Sequence, residues 1–159
     1  MSLDSLPMTS NGFLAAQEEL RKLKLVERQD AVAAIAAARA LGDLSENAEY
    51  HAAKDRQGMI EARILELERI VGSASVVDVS AINSDTVKFG ATVTLSDTGT
   101  GFIFTFQIVG SFEADVKNGL LPVTSPTARA VIGKKVGDVV FVEAPGGSKS
   151  YAVEKISYV

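Results

Sequence analysis

Asp43 and Glu46 stand three residues apart in Gly42-Asp43-Leu44-Ser45-Glu46-Asn47-Ala48-Glu49-Tyr50, an acidic break between two long helix-forming segments. Two kinds of chemistry are open to such a pair. An Asp cap followed three residues later by Glu satisfies the exposed amides at the start of a helix, where carboxylates also suit the macrodipole. Alternatively, the pair offers hard oxygen donors to a divalent cation. One or two carboxylates do not make a complete cage for Mg2+, so they would serve a site to which a partner adds further carboxylates and a phosphate. In a two-metal site the added ion activates water and stabilises displacement at a phosphodiester. The two readings are compatible, because a capping pair can also present outward oxygens.

Other chemistries find little support. His51 is the only histidine and there is no cysteine, so neither a His-based metal cluster nor a Ser–His or Cys–His nucleophile is expected. Gly133-Lys134-Lys135 lacks the glycine-rich lead of a phosphate-binding loop and reads as a turn. Arg39 and Lys54 flank the tip. They fit either a solvated helix face or a local guide for phosphates. The net charge of −4 gives no global basic field for non-specific nucleic-acid binding. The N-terminus lacks the pattern of a signal peptide and no apolar run is long enough for a membrane span, so a soluble, cytoplasmic protein is expected.

Helices must hold the acidic break. The first is expected to start with Thr9 or Ser10 as cap and to run to Leu41. Its apolar face passes through Phe13, Ala16, Leu20 and Leu23, is interrupted at Glu27, and resumes at Ala31, Ala34, Ile35, Ala38 and Leu41. On the second, Tyr50, Ala53, Gln57, Ile60, Ile64, Leu67, Val71 and Ala74 follow alternating steps of three and four, a coiled-coil seam. Neither stripe can be buried alone, and the short turn permits only an antiparallel return. The hairpin would reach about 45–50 Å at 1.5 Å per residue. Ala31, Ala34, Ala37 and Ala38 are expected to face Ala48, Ala52 and Ala53, which would make the outer arm slender. A seam closed within one hairpin needs no second chain, so the free protein is expected to be a monomer.

The second half has a different composition, rich in Phe, Val, Thr and Gly. Strands are expected at 75–79, 91–96, 102–109, 139–142 and 151–156, separated by turn signals at Asp97-Thr98-Gly99, Asn118-Gly119 and Pro145-Gly146-Gly147. Phe102, Phe104 and Phe106 alternate as one buried sheet face. Ser125-Pro126 starts a short helix that ends at Gly133, with serine as cap and proline at the first position. The fold class is therefore α+β: a helical hairpin over residues 1–75 and an antiparallel sheet with one short helix over 76–159.

The stretch Gly42 to Gln57 resembles the tip signature of bacterial Gre transcript cleavage factors of the GreA type. The resemblance continues in Ala33-Ala34-Ile35-Ala36-Ala37-Ala38-Arg39, Gln107-Ile108-Val109-Gly110, Glu113-Ala114-Asp115, Ser125-Pro126, Gly133-Lys134 and Gly137-Asp138. It implies that the coiled-coil hairpin enters the secondary channel of bacterial RNA polymerase while an FKBP-like C-terminal domain docks at the rim. Asp43 and Glu46 would then help hold the second catalytic Mg2+, shared with the polymerase, which cleaves the 3′ end of backtracked nascent RNA. Asn47, Glu49 and Tyr50 would support the tip, Arg39 and Lys54 would guide RNA, and Ser125 and Pro126 would touch the polymerase. On this resemblance the chain has no intrinsic cofactor and is not itself an enzyme. A non-catalytic regulator that occupies the same channel, or a coiled-coil adaptor or chaperone, are the other readings. Thr127-Ala128 in place of the family's Ile-Gly, and Gln29 where many members carry proline, are departures.

Overall fold

The computed structural model describes residues 5–159. The chain divides into two compact units: Phe13–Ala74, and Ser75–Val159 together with the residues up to Gly12.

The first unit is the expected helical hairpin. Its outgoing limb consists of α1 (Ser10–Lys22), a π-helical turn (Leu23–Glu27) and α2 (Arg28–Arg39); the returning limb is α3 (Ala48–Ser73). Ala31 is fully buried against Ile60 and Ile64, with Leu20 and Leu23 packed alongside. The seam of α3 is Ala53, Ile60, Ile64, Leu67 and Ile70. Its last buried residue is Ile70, whereas the expected seam ran on through Val71 and Ala74.

The π-helical turn lies where the apolar stripe of the outgoing limb is interrupted. Arg28 N donates to Leu23 O, five residues back. The extra residue rephases the helix, so Leu23 and Ala31 enter one cluster while Glu27 turns aside to meet Arg56 at 2.9 Å. Fewer alanines face inward than expected. Ala31, Ala38 and Ala53 are buried, but Ala37, Ala48 and Ala52 are exposed. Leu41 is 66% exposed because α2 has already ended and the chain has left the seam.

Charged pairs run along the flanks of the seam. Arg28 grips Glu61 through two bonds of 2.8 and 2.9 Å, Arg63 does the same to Glu19, and Lys24 meets Glu68 at 2.6 Å. All are partly exposed, so their main effect is on helix register rather than stability.

In the second unit, β1 (Leu6–Thr9) pairs with β2 (Ala74–Val77) as a small separate sheet. The main sheet contains β3 (Thr92–Asp97), β4 (Ile103–Val109), β5 (Leu120–Pro122), β6 (Val139–Ala144) and β7 (Gly147–Ser157), in the order β5-β4-β3-β7-β6. All neighbours are antiparallel except β4 and β5. Strands β1 and β5 were not expected from sequence. The β3–β7 register shifts between Thr94 and Leu95, a bulge that adds local twist.

Alternation along the strands turns Val93, Leu95, Phe106, Ile108, Val140 and Val153 to one face, where they pack with Ala128 and Val131 of α4 (Pro126–Val131). Helix α4 starts as the sequence indicates, with Ser125 Oγ accepting from Ala128 N at 3.1 Å and Pro126 as its first residue. Gly133 follows with φ +85°, a left-handed conformation in which a Cβ would be strained. The phenylalanine series is graded rather than uniformly buried. Phe106 is enclosed, Phe104 is intermediate and Phe102 is 67% exposed, since the ladder runs out toward the sheet's open end. Their rings stack at 6.1 and 6.0 Å, and Tyr151 meets Phe104 edge-on at 5.4 Å.

Candidate functional site

The outgoing limb stops at Ala40, the C-cap of α2, and Gly42 takes φ +126° to start the reversal. Residues 41–46 are all exposed, which is the expected state of a turn with no packing partner.

The return begins at Asn47, not at Asp43. Asn47 has extended backbone angles and its Oδ1 accepts from Tyr50 N at 3.0 Å, making it the N-cap of α3. Its Nδ2 donates to Ala38 O at 2.5 Å, one of the carbonyls at the end of α2. One amide side chain thus closes both ends of the break. The capping role expected for Asp43 and Glu46 is corrected accordingly: a chain that enters the helix at Ala48 has already passed both acids.

The two carboxylates are left with different surroundings. Asp43 Oδ1 accepts from Ser45 N at 2.9 Å and from Ser45 Oγ at 2.8 Å. Those two donors, the amide first and then the hydroxyl, hold the Asp43 carboxyl below its ordinary value. Glu46 makes no side-chain hydrogen bond or ion pair among the described residues. Asp43, Glu46, Asn47 and Glu49 share one shallow open depression with Leu41 and Ala48.

The remaining tip residues form a second group. The Arg39 guanidinium lies 5.9 Å from the Tyr50 ring centroid, a cation–π distance, and Tyr50 meets His51 edge-on at 5.6 Å. Lys54 is exposed on α3 and enters no ion pair among the described residues. Ser125 and Pro126 belong to the other compact unit, where Ser125 is occupied as the cap of α4.

The donor set sets a limit on metal chemistry. No group of three or more His, Cys, Asp or Glu side chains able to hold an ion occurs among the described residues. Two exposed carboxylate donors fit Mg2+ in chemical type but not in number, so they suit a site completed by other ligands. Sequence reasoning missed Ser45. Its signal was the Asp-x-Ser spacing, the pattern by which an aspartate accepts from the residue two positions on.

Comparison with known proteins accounts for almost the whole chain. Residues 6–76 match the family "Transcription elongation factor, N-terminal", and residues 82–158 match "Transcription elongation factor, GreA/GreB, C-term". Transcription elongation factor GreA of Phenylobacterium zucineum is 55% identical over 157 residues, covering 99% of this chain and 100% of the relative. The protein of that name from Maricaulis maris is 53% identical over 156 residues, covering 98% and 99%. Among solved structures, GreA factor homolog 1 of Thermus thermophilus is 26% identical, covers 96% of this chain and 98% of its own, and superposes with a TM-score of 0.44.

Proposed function

Since this chain belongs to the GreA/GreB family of transcription elongation factors, we propose that its helical arm enters the secondary channel of RNA polymerase and brings Asp43 and Glu46 to the polymerase active site. The protein is a transcription elongation factor that works with RNA polymerase and stimulates the polymerase's cleavage of RNA; it is not itself the enzyme. The substrate at the arm's tip is the 3′ end of backtracked RNA, and its removal rescues an arrested complex. The setting is the cytoplasm. No described helix is long and apolar enough to cross a membrane.

The observation that carries the assignment is the cap. Asn47 satisfies the start of α3, so Asp43 and Glu46 are exposed and take no part in capping the helix. Exposed carboxylates with no part in capping, at the end of a hairpin, are available to ligands from another molecule. Asp43 and Glu46 would each contribute oxygen donors to one Mg2+, while the polymerase contributes the other ligands. When bound there, Mg2+ lowers the pKa of water and neutralises charge developing on the phosphodiester. The chain's own part is to deliver the donors, to hold Asp43 Oδ1 through Ser45, and to fix the turn through Asn47.

Arg39 and Lys54 would bear on RNA phosphates, with Tyr50 restraining Arg39 through its ring and Glu49 beside the two acids. Ser125 and Pro126 would contact the polymerase from the second unit.

RNA cleavage in a backtracked bacterial elongation complex tests the proposal. The wild-type chain should speed cleavage, whereas Asp43→Asn should bind polymerase and leave the rate near that without factor. A wild-type chain that binds but leaves cleavage unchanged or slower would instead establish a regulator that only occupies the channel.

A further inference from the structure

The five-stranded sheet ends in two different ways. One outer strand, β5, has three residues and finishes in Pro122, so it offers little backbone to a neighbour. The other, β6, runs for six residues as Val139-Val140-Phe141-Val142-Glu143-Ala144, with no proline, no lysine and an unbroken register against β7. Its bonds to β7 alternate, as antiparallel pairing requires. Val153 N donates to Asp138 O at 2.9 Å, and Ser150, opposite Phe141, turns its carbonyl away from β6 to accept from Thr98 N at 3.0 Å. Val140 and Val142 therefore bond inward, while the N–H and C=O groups of Val139, Phe141 and Glu143 point out of the sheet's edge. No backbone hydrogen bond reaches them from another segment among the described residues. Side chains do not shield that edge either: Val139 is 50% exposed and Phe141 73%.

We propose that β6 is a self-association edge, at which a second copy of this chain adds its own β6 antiparallel and joins two sheets into one. A row of unpaired strand groups is matched by an extended strand, and the sequence of β6 fits itself. Side chains keep to their faces across an antiparallel pair only if odd positions meet odd positions. A two-fold axis through Phe141 meets that condition, and Val139, Phe141 and Glu143 then all exchange backbone bonds with the second copy. Phe141 lies opposite its own counterpart, Val140 opposite Val142, and Val139 opposite Glu143, so no like charges are opposed. Valine and phenylalanine also have high strand propensity. The hairpin seam, closed within one chain, plays no part, and the proposal does not depend on what the arm does at the polymerase. A single strand makes a small interface, so the association is weak and governed by concentration.

Sedimentation equilibrium of the full chain from about 10 µM to about 1 mM tests this. The mass should rise with concentration from that of one copy toward two. Amide exchange followed by NMR at both ends of that range should slow by about threefold at Val139, Phe141 and Glu143 once the edge is paired. Val140 and Val142, already bonded to β7, should change less. Two exposed substitutions, neither of which removes core packing, then test the register. Phe141→Lys puts like charges opposite each other on the axis and should weaken association about tenfold, whereas Val139→Lys puts a lysine opposite Glu143 and should stay within about threefold of wild type. A single-copy mass throughout, with unchanged exchange at the odd positions, would overturn the proposal and leave the edge to an extended strand of another protein. Equal loss of association in both lysine variants would overturn the pairing about Phe141 in favour of apolar contact without it.

Discussion

Asn47 joins the two limbs of the hairpin: its Nδ2 donates to Ala38 O at 2.5 Å while its Oδ1 accepts from Tyr50 N at 3.0 Å. The first bond satisfies a carbonyl at the end of α2 and the second an amide at the start of α3. A side chain with only acceptors could make the second bond but not the first.

Asn47→Ala should therefore lower the stability of the arm by about 1–2 kcal/mol, the upper part of the range for a lost N-cap. Asn47→Asp should lose less, because it keeps the cap and gives up only the donor. Amide hydrogen exchange at Tyr50 and His51 localises the effect. Equal protection in wild type and Asn47→Ala would show that the cap contributes nothing.

Glu113 plays a comparable role in the second unit. Its Oε2 accepts from Thr9 N at 2.8 Å and Gly110 N at 2.9 Å, and its Oε1 accepts from the Thr9 hydroxyl. Thr9 is itself buried, so removing the carboxylate leaves polar groups without partners. Glu113→Ala should cost about 1–3 kcal/mol, read as a shift of the denaturant midpoint at unchanged slope. Gly12→Ala should disturb the same contact, since a Cβ there would lie 2.1 Å from Glu113 Oε1. A Gly12→Ala chain with the wild-type midpoint would contradict this arrangement.

The hairpin's ion pairs give its stability an acid dependence of definite sign. Two hydrogen bonds from Arg28 hold the Glu61 carboxyl below its ordinary 4.5, and Arg21 does the same to Glu18. A depressed folded-state value means that the unfolded chain binds the proton more tightly. The contribution is therefore complete above the ordinary value and is lost as pH falls through the lower folded one. Thermal unfolding should shift to lower temperature on acidification below pH 4.5. Arg28→Met should reduce that slope without reversing it, and the change should be small because both partners are partly exposed. Parallel pH profiles for the two chains would mean that the pair is not formed in solution.

Much of this was legible in the residues, for reasons that differ by element. Ser125, Pro126 and Gly133 bracket α4 because each acts within its own turn. Steps of three and four from Ala53 to Leu67 marked the α3 seam, and the break at Glu27 marked the place of the π-helical turn without revealing its form. Strand β1 was not legible, since Leu6–Thr9 is a strand only by pairing with Ala74–Val77, a long-range event. Strand β5 has three residues, ends in proline and runs parallel to β4, so it carries no alternation to read. At the tip, the Asp43–Glu46 spacing matched a helix start, whereas the cap in the fold is Asn47. The choice falls to Asn47 because Ala38 O lies within reach of its amide.

That choice is also the basis of the functional assignment, and Asp43→Ala tests it directly. If Asn47 caps α3 and Asp43 serves the polymerase's metal site, the variant should unfold within about 0.5 kcal/mol of wild type, as an exposed substitution outside any cap does. It should also lose nearly all stimulation of RNA cleavage in a backtracked complex while still binding polymerase. A variant that is destabilised by about 1 kcal/mol or more, as loss of a cap would do, yet stimulates cleavage as well as wild type would contradict the account. Asp43 would then be a structural residue and the metal-assisting role would have to be withdrawn.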